Sequence, residues 1–320
     1  MAGIEKELIV ENYQAVRNFL GHKDENIKII EEEMGIDLLV RGNIIKIKGE
    51  KEAVKETENI ISKLLGISLE EKSLGKQEVK YIVGLLKKNP LMNLHDLYNE
   101  ILQVNYRGKK IRPKTLGQKV YIDAIKRSSI VFAIGPAGTG KTYLAMVMAV
   151  KALLNKDVTR IILTRPAIEA GEKLGFLPGD LQEKVDPYLR PLYDALYDIL
   201  GPEKVSTYLS KDIIEVAPLA YMRGRTLDNS FVILDEAQNT TPEQMKMFLT
   251  RMGLNSQVVI TGDITQIDLP DNKISGLNLV QAILKDIEGI EFIYLSKEDV
   301  VRHKLVKDII KAYERYEGRN

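Results

Sequence analysis

The residues with the clearest chemistry run Gly135-Pro136-Ala137-Gly138-Thr139-Gly140-Lys141-Thr142, a full G-x-x-x-x-G-K-[ST] spacing. Glycines let a backbone turn tightly enough for successive N–H groups to face phosphate oxygens. A helix beginning at the end of the loop adds its partial positive charge. Lys141 would reach the β- and γ-phosphates of a nucleotide, and the Thr142 hydroxyl would ligand Mg²⁺. A second stretch, Phe231-Val232-Ile233-Leu234, ends in Asp235 and Glu236. Charge delivered to the end of a buried run is costly unless it meets a cation. Asp235 is therefore read as the Mg²⁺ holder, through water, and Glu236 as the group that orients or deprotonates an attacking water. A third stretch, Thr261-Gly262-Asp263-Ile264-Thr265-Gln266, also follows an apolar run. Gln266 is read as a γ-phosphate contact that changes after hydrolysis. The alternative there is a glycine turn with Asp263 as a helix cap.

These groups need strands to carry them. Ile130–Ile134 is a short β-branched run leading straight into the glycine loop, and an apolar helical pattern follows it through Leu144, Met146, Val147, Val150, Leu153 and Leu154. Further strands are predicted at 160–164, 213–216, 231–234, 258–261 and 292–295, with helices at 187–200, 242–252, 276–287 and 300–316. Apolar runs separated by helices indicate an α/β fold with a doubly wound, mainly parallel sheet. Ligands in such sheets lie at the carboxyl ends of strands, and each chemically suggestive residue falls at one.

The N-terminal part has a different grammar. A strand at 8–10, a helix at 26–34, two strands at 36–40 and 44–48 around Arg41-Gly42-Asn43, and a helical face from Ala53 to Leu65 are predicted. With Gly21 ahead of the first helix, this order resembles a KH RNA-binding module, a small α+β domain. The KH clamp is G-x-x-G, whereas this loop is Gly21-His22-Lys23-Asp24, with a negative side chain where a phosphate would approach. RNA contact and a docking or oligomer-building role both stay open. The expected division is a KH-like domain at 1–66, a connector of two polar helices at 67–106, the second carrying Leu94, Leu97, Ile101 and Leu102, and a nucleotide-binding domain at 107–320. Arg107, Lys109, Lys110, Arg112, Lys114 and Lys119 lie together with no acid among them. Such a run is ordinarily a solvated linker, and less often a phosphate-facing edge.

Composition sets the frame. At 320 residues, 44% hydrophobic and 28% charged, the chain has room for one large domain and a smaller one. It has no cysteine, which excludes disulfide and thiol chemistry. A formal net charge of +1 leaves nucleic-acid binding to local patches. The opening MAGIEKELIVEN carries acids where a signal peptide needs an apolar core, and no apolar run is long enough for a bilayer, so a cytoplasmic protein without membrane contact is expected.

Taken together, the glycine loop, Thr164-Arg165-Pro166-Ala167, the Asp235-Glu236-Ala237-Gln238 stretch and Thr261 to Pro270 resemble the PhoH-like family, related to the first core of superfamily 1 helicases. Ile111-Arg112-Pro113-Lys114-Thr115 with Gln118, Leu174 to Asp180, Tyr221 to Thr226, and Asp299 to His303 extend the match over about 107–318. The resemblance implies a RecA-like P-loop NTPase that binds ATP with Mg²⁺ and hydrolyses it to ADP and phosphate, and it suggests action on single-stranded RNA. Gln118 stands where helicase-like ATPases place an adenine-reading glutamine, since an amide both donates and accepts; a plain surface glutamine is the alternative. Superfamily 1 enzymes use two cores, whereas this sequence has one P-loop and no internal repeat. A homo-oligomeric ring, a hexamer by preference, would supply an arginine in trans, with Arg302 first and Arg223 and Arg225 next. Two rivals stand: an ATP-regulated assembly factor without helicase activity, and a small-molecule kinase.

Overall fold

Alternation of apolar and polar residues makes the N-terminal strands one-sided. In the computed structural model, which describes residues 3–70, 74–90, 92, 94, 100–166, 181–270, 273–302 and 304–317, β1 (Ile4–Ile9), β2 (Asp37–Arg41) and β3 (Ile44–Gly49) form an antiparallel sheet ordered β1-β3-β2. Between β1 and β2 lie α1 (Tyr13–Leu20) and α2 (Glu25–Met34), and α3 (Lys51–Glu70) follows β3. Helix α1 is absent from the sequence-based expectation because two turns offer little periodicity; its start is fixed by the Asn12 side chain, which accepts from Ala15 N at 3.1 Å. Phe19, Ile30, Ile45, Ile47, Ile61 and Leu64 close the core.

The turn from α1 to α2 is tight. Gly21, Lys23 and Asp24 all have positive φ, at 72°, 53° and 58°. Asn26, fully buried just beyond it, donates through Nδ2 to Phe19 O at 2.8 Å and Leu74 O at 3.0 Å. One amide thus ties the turn to the chain ahead of α4 (Lys76–Lys88).

The division of the chain differs from the expected one. Val79, Ile82, Val83 and Leu86 of α4 share the core of α1–α3, because their helical spacing gives that helix an apolar face to bury. The first compact unit is Met1–Asn99 with His303–Asn320, and the second is Glu100–Arg302. The second connector helix falls largely on residues outside those described; Ile101 and Leu102 are not helical, and β4 (Gln103–Val104) pairs antiparallel with β5 (Lys110–Ile111). The final helix, α11 (Lys304–Glu317), starts after the expected position 300.

The second unit holds α5 (Leu116–Arg127), β6 (Ile130–Ile134), α6 (Lys141–Asn155), β7 (Arg160–Arg165), α7 (Leu181–Leu200), α8 (Pro202–Ser210), β8 (Ile214–Pro218), β9 (Ser230–Leu234), α9 (Pro242–Leu249), β10 (Gln257–Gly262), α10 (Gly276–Ile283) and β11 (Ile290–Tyr294). The six strands pair in the order β11-β6-β10-β9-β7-β8, and every pair is parallel. Side-chain alternation sorts them onto two buried faces. Val131, Ala133, Ile161, Leu163, Phe231, Ile233 and Val259 meet α5, α6, α7 and α8. Phe132, Ile134, Ile162, Val232, Leu234 and Ile260 meet α9 and α10. This is an α/β, doubly wound architecture, an all-parallel sheet with helices on both faces. No helix among the described residues is long and apolar enough to cross a membrane.

Asn26→Ala removes the donor from two carbonyls in the first unit. It should lower unfolding stability by about 1–3 kcal/mol, as expected when buried acceptors lose a partner. Urea unfolding of the full chain, followed by the transition of the first unit, measures it.

Candidate active site

Strand β10 lies between β6 and β9, so the ends of three strands converge on one place. The glycine loop leaves β6, turns with φ of 85° at Gly138 and 81° at Gly140, and opens α6 at Lys141. Those angles suit glycine alone without strain. A Cβ at Gly138 would also run into the Arg302 side chain, and Val301 N donates to Gly138 O at 2.9 Å. The short stretch before α11 therefore straps the loop. Thr139 Oγ1 donates to Pro136 O at 3.0 Å and steadies the turn.

A cleft of about 280 Å³ is lined by Ala137, Gly138, Gly140, Lys141, Thr142, Tyr143, Asp235, Glu236, Gly262, Asp263, Gln266 and Arg302. Lys141 Nζ donates to Gly135 O at 2.5 Å and Pro136 O at 3.0 Å. Burial lowers the Lys141 pKa from the ordinary lysine value, while the carboxylates of Asp263, Glu236 and Asp235 pull the other way. Asp235 is 6% exposed, and its Oδ1 accepts from Thr142 Oγ1 at 2.6 Å and Thr261 Oγ1 at 2.7 Å. Glu236, with φ of 52°, pairs with Arg165 at 3.1 Å and accepts from Gln238 Nε2 at 2.6 Å.

Asp263 does more than cap a turn. Its Oδ1 accepts from Thr265 N and Oγ1, and its Oδ2 accepts from Ala137 N of the glycine loop at 3.0 Å. Gln238, 1% exposed, joins the neighbouring loops. It donates to Gln266 O at 3.0 Å and accepts from Asp263 N at 3.1 Å. Sequence reasoning does not single out Thr261, Gln238, Asp263 or Arg165 as site residues. Gln238 and Arg165 sit in stretches that carry the family resemblance, but only the sheet order shows what they touch.

The remaining expected residues fall as follows. Gly135, Pro136 and Thr139 form the loop itself, and Gln266 is exposed at the cleft. Gln118 is 4% exposed, not a surface residue; it accepts from Lys114 N at 2.7 Å and donates to Thr139 O at 2.9 Å. Its amide braces the loop from below, together with Tyr121, whose hydroxyl donates to Lys141 O at 3.2 Å and is kept protonated by burial. Arg302 lines the cleft of its own chain. Arg225 is engaged by Glu215 through two contacts of 2.6 Å, and Arg223 is exposed. Ala167, the stretch 174–180 and His303 lie outside the described residues.

The donor set suits Mg²⁺, a hard cation that takes one or two carboxylates plus phosphate oxygens. Thr142 Oγ1 and Asp235 Oδ1 supply a hydroxyl and a carboxylate side by side. Among the described residues there is no cluster of three His, Cys, Asp or Glu side chains that could hold a metal.

Gly138→Ala forces a side chain into a left-handed turn against Arg302. Strain of this kind is on the order of 1–3 kcal/mol, so nucleotide affinity should fall roughly tenfold to a hundredfold. Titration with a fluorescent ATP analogue measures the loss, with an unchanged Tm excluding unfolding.

Comparison with known proteins bears on the family of the chain. A family model described as PhoH-like protein matches residues 110–314. A PhoH-like protein of Bacillus subtilis is 51% identical over 306 residues, which is 96% of this chain and 96% of that relative. One from Synechocystis sp. is 50% identical over 93% of this chain and 91% of its own length. Protein PhoH of Escherichia coli is 49% identical over 195 residues, 60% of this chain and 55% of its own. Among solved structures, the Sulfolobus solfataricus SWI2/SNF2 ATPase core in complex with dsDNA aligns with 64% of this chain and 47% of its own, with a TM-score of 0.34 and 13% identity. With the family model spanning most of the second unit and close relatives spanning nearly the whole chain, this protein belongs to the PhoH-like family.

Proposed function

We propose that the second unit binds ATP and hydrolyses it to ADP and phosphate, and that this turnover is coupled to single-stranded RNA. The observation that carries the hydrolase reading is the pair at the end of β9: Asp235 joined to Thr142 of the glycine loop, with Glu236 beside it in the same cleft. Lys141 and the loop N–H groups take the β- and γ-phosphates, and Glu236 accepts the proton of an attacking water. Mg²⁺, held by Thr142 and Asp235, would neutralise charge on the transferring phosphoryl group. The stretch Asp235 to Gln238 beside Thr261 to Gln266 favours water as acceptor over a second substrate.

The RNA part rests on two features. The order of β1-α1-α2-β2-β3-α3, with an antiparallel β1-β3-β2 sheet, supports the KH-like reading of the first unit. Its clamp position is the left-handed turn of Lys23 and Asp24, where Asp24 opposes phosphate. In the second unit the acid-free basic run forms the β4–β5 hairpin, which exposes Arg107, Lys109 and Lys110, with Arg107 stacked 5.1 Å from the Tyr106 ring. Cations beside an aromatic face suit a single strand. Lys119 is not part of this surface, since it pairs with Glu100 and Asp123. Assembly into a homo-oligomeric ring, with a hexamer favoured, stays part of the proposal. Arg302 then acts on its own chain's nucleotide, and Arg223, the exposed one, is the candidate donor to a neighbour.

Glu236→Gln should keep ATP binding and slow hydrolysis by on the order of 10²–10⁴-fold, the range for a lost general base; Lys141→Ala should weaken binding itself. Phosphate release and analogue titration separate the two, and a wild-type rate in Glu236→Gln refutes the assignment. RNA coupling is tested by turnover with and without single-stranded RNA at fixed salt. Mixing Lys141→Ala with Arg223→Ala should restore part of the activity if sites form between subunits.

A further inference from the structure

Glu236 lines the cleft, but both of its carboxylate oxygens are already engaged by the protein. Oε1 faces the Arg165 guanidinium at 3.1 Å, and Oε2 accepts from Gln238 at 2.6 Å. Among the described ion pairs, this is the one that includes a cleft residue. Arg165 itself does not line the cleft. It ends β7, the strand beside β9 and on the far side from β6, and it is anchored by a second bond from Nη1 to Tyr188 O at 3.0 Å. Whatever Arg165 does to the reaction, it does through Glu236.

A carboxylate that is to take a proton from water must first turn an oxygen to that water. While Oε1 faces a guanidinium, neutralising the group by protonation means giving up that ion pair. The Tyr188 carbonyl fixes the guanidinium in place without neutralising it, so Glu236 is the partner that satisfies its charge. A phosphodiester matches the planar guanidinium at least as well as a carboxylate does. Both side chains keep some solvent access, with exposures of 21% for Arg165 and 33% for Glu236, so a polyanion lying across the carboxyl ends of β7 and β9 can reach the pair from outside the glycine loop.

We propose that Arg165 is a latch on Glu236: the ion pair restrains the carboxylate from activating water, and a phosphodiester that draws off the guanidinium frees it. This rests on the ATP-hydrolysing reading above and adds to it a positioning residue and the chemistry of the release signal. Gln238 then keeps the freed carboxylate in register with the loop after β10, because its amide is also bonded to Gln266 and Asp263.

The test uses the full chain as wild type, Arg165→Ala and Arg165→Lys, assayed for ATP turnover alone and with poly(U). Arg165→Ala should raise kcat without RNA by about threefold to tenfold, the scale a partly exposed ion pair can withhold. Its KM for ATP should stay within about twofold, since no phosphate contact is lost. Poly(U) should raise the wild-type rate and leave Arg165→Ala unmoved, with Arg165→Lys between them. An Arg165→Ala rate equal to or below the wild type overturns the latch, because a merely structural or orienting arginine gives that result. A faster Arg165→Ala beside a wild type that ignores poly(U) keeps the restraint and refutes the release by phosphodiester. If the wild type does not turn over, the hydrolase reading falls. The pair is then read by a double-mutant cycle of Arg165→Ala and Glu236→Gln on unfolding free energy. Non-additivity that poly(U) abolishes supports the latch, and additivity overturns it.

Discussion

A buried carboxylate organises the second unit. Asp235 is almost withdrawn from solvent, and an ionised group in that position is tolerated only when donors meet it. The donors are two threonine hydroxyls, one from the first turn of α6 and one from the end of β10. Thr261 is in reach because β10 lies beside β9. Inserting β10 between β6 and β9 brings Thr261 alongside Asp235 while α6 presents Thr142 from the loop. A single short set of hydrogen bonds thus joins β9, β10 and the start of α6 at the floor of the cleft. That is also why the cleft is polar at its floor although the sheet below it is apolar throughout.

Much of this is legible in the amino-acid sequence. The glycine spacing and the apolar run into Asp235 and Glu236 are local, and local patterns are fixed by what a strand end and a turn can hold. The parallel sheet is legible too, because runs such as Ile130–Ile134 and Ser230–Leu234 are apolar on both faces. The order of strands is not. Nothing in the apolar pattern says that β10 separates β6 from β9, so in sequence Thr261 is only the end of a strand. The same holds for Gln118 and Arg302, whose neighbours are distant along the chain and adjacent in space. Gln118 braces the loop through its side-chain amide, which donates to Thr139 O, and Arg302 lies across Gly138.

The N-terminal unit shows the opposite balance. Its hairpin is plain in the sequence, since β2 and β3 alternate cleanly around Gly42. Helices α1 and α4 are hard to place because each is short or rich in lysine, and a polar-looking helix with one apolar stripe resembles a linker until its stripe finds a core. Val79, Ile82, Val83 and Leu86 find one. The turn at Lys23 and Asp24 adds a point about strain. Two non-glycine residues in succession hold left-handed angles there, a conformation that side chains disfavour by about 1–2 kcal/mol each. Asn26, just after the turn, bonds back to Phe19 O ahead of it and across to Leu74 O, which helps hold it in place.

Hydrogen bonds also link the glycine loop to Glu236. Ala137 N is bonded to Asp263, whose own backbone N–H is bonded to Gln238, whose side chain is bonded to Glu236, which is paired with Arg165. A phosphate entering the loop competes with Asp263 for the Ala137 N–H and repels its carboxylate as a like charge. It also competes with the carbonyls of Gly135 and Pro136 for Lys141. Any shift of Asp263 is felt by Gln238, because the amide of Gln238 has few other partners to fall back on in a site where it is 1% exposed. Buried hydrogen-bond chains of this kind have discrete arrangements rather than a continuum, since a half-made bond in a dry site is costly. The glycine loop and Glu236 are thus joined end to end, and the chain of contacts ends at Arg165.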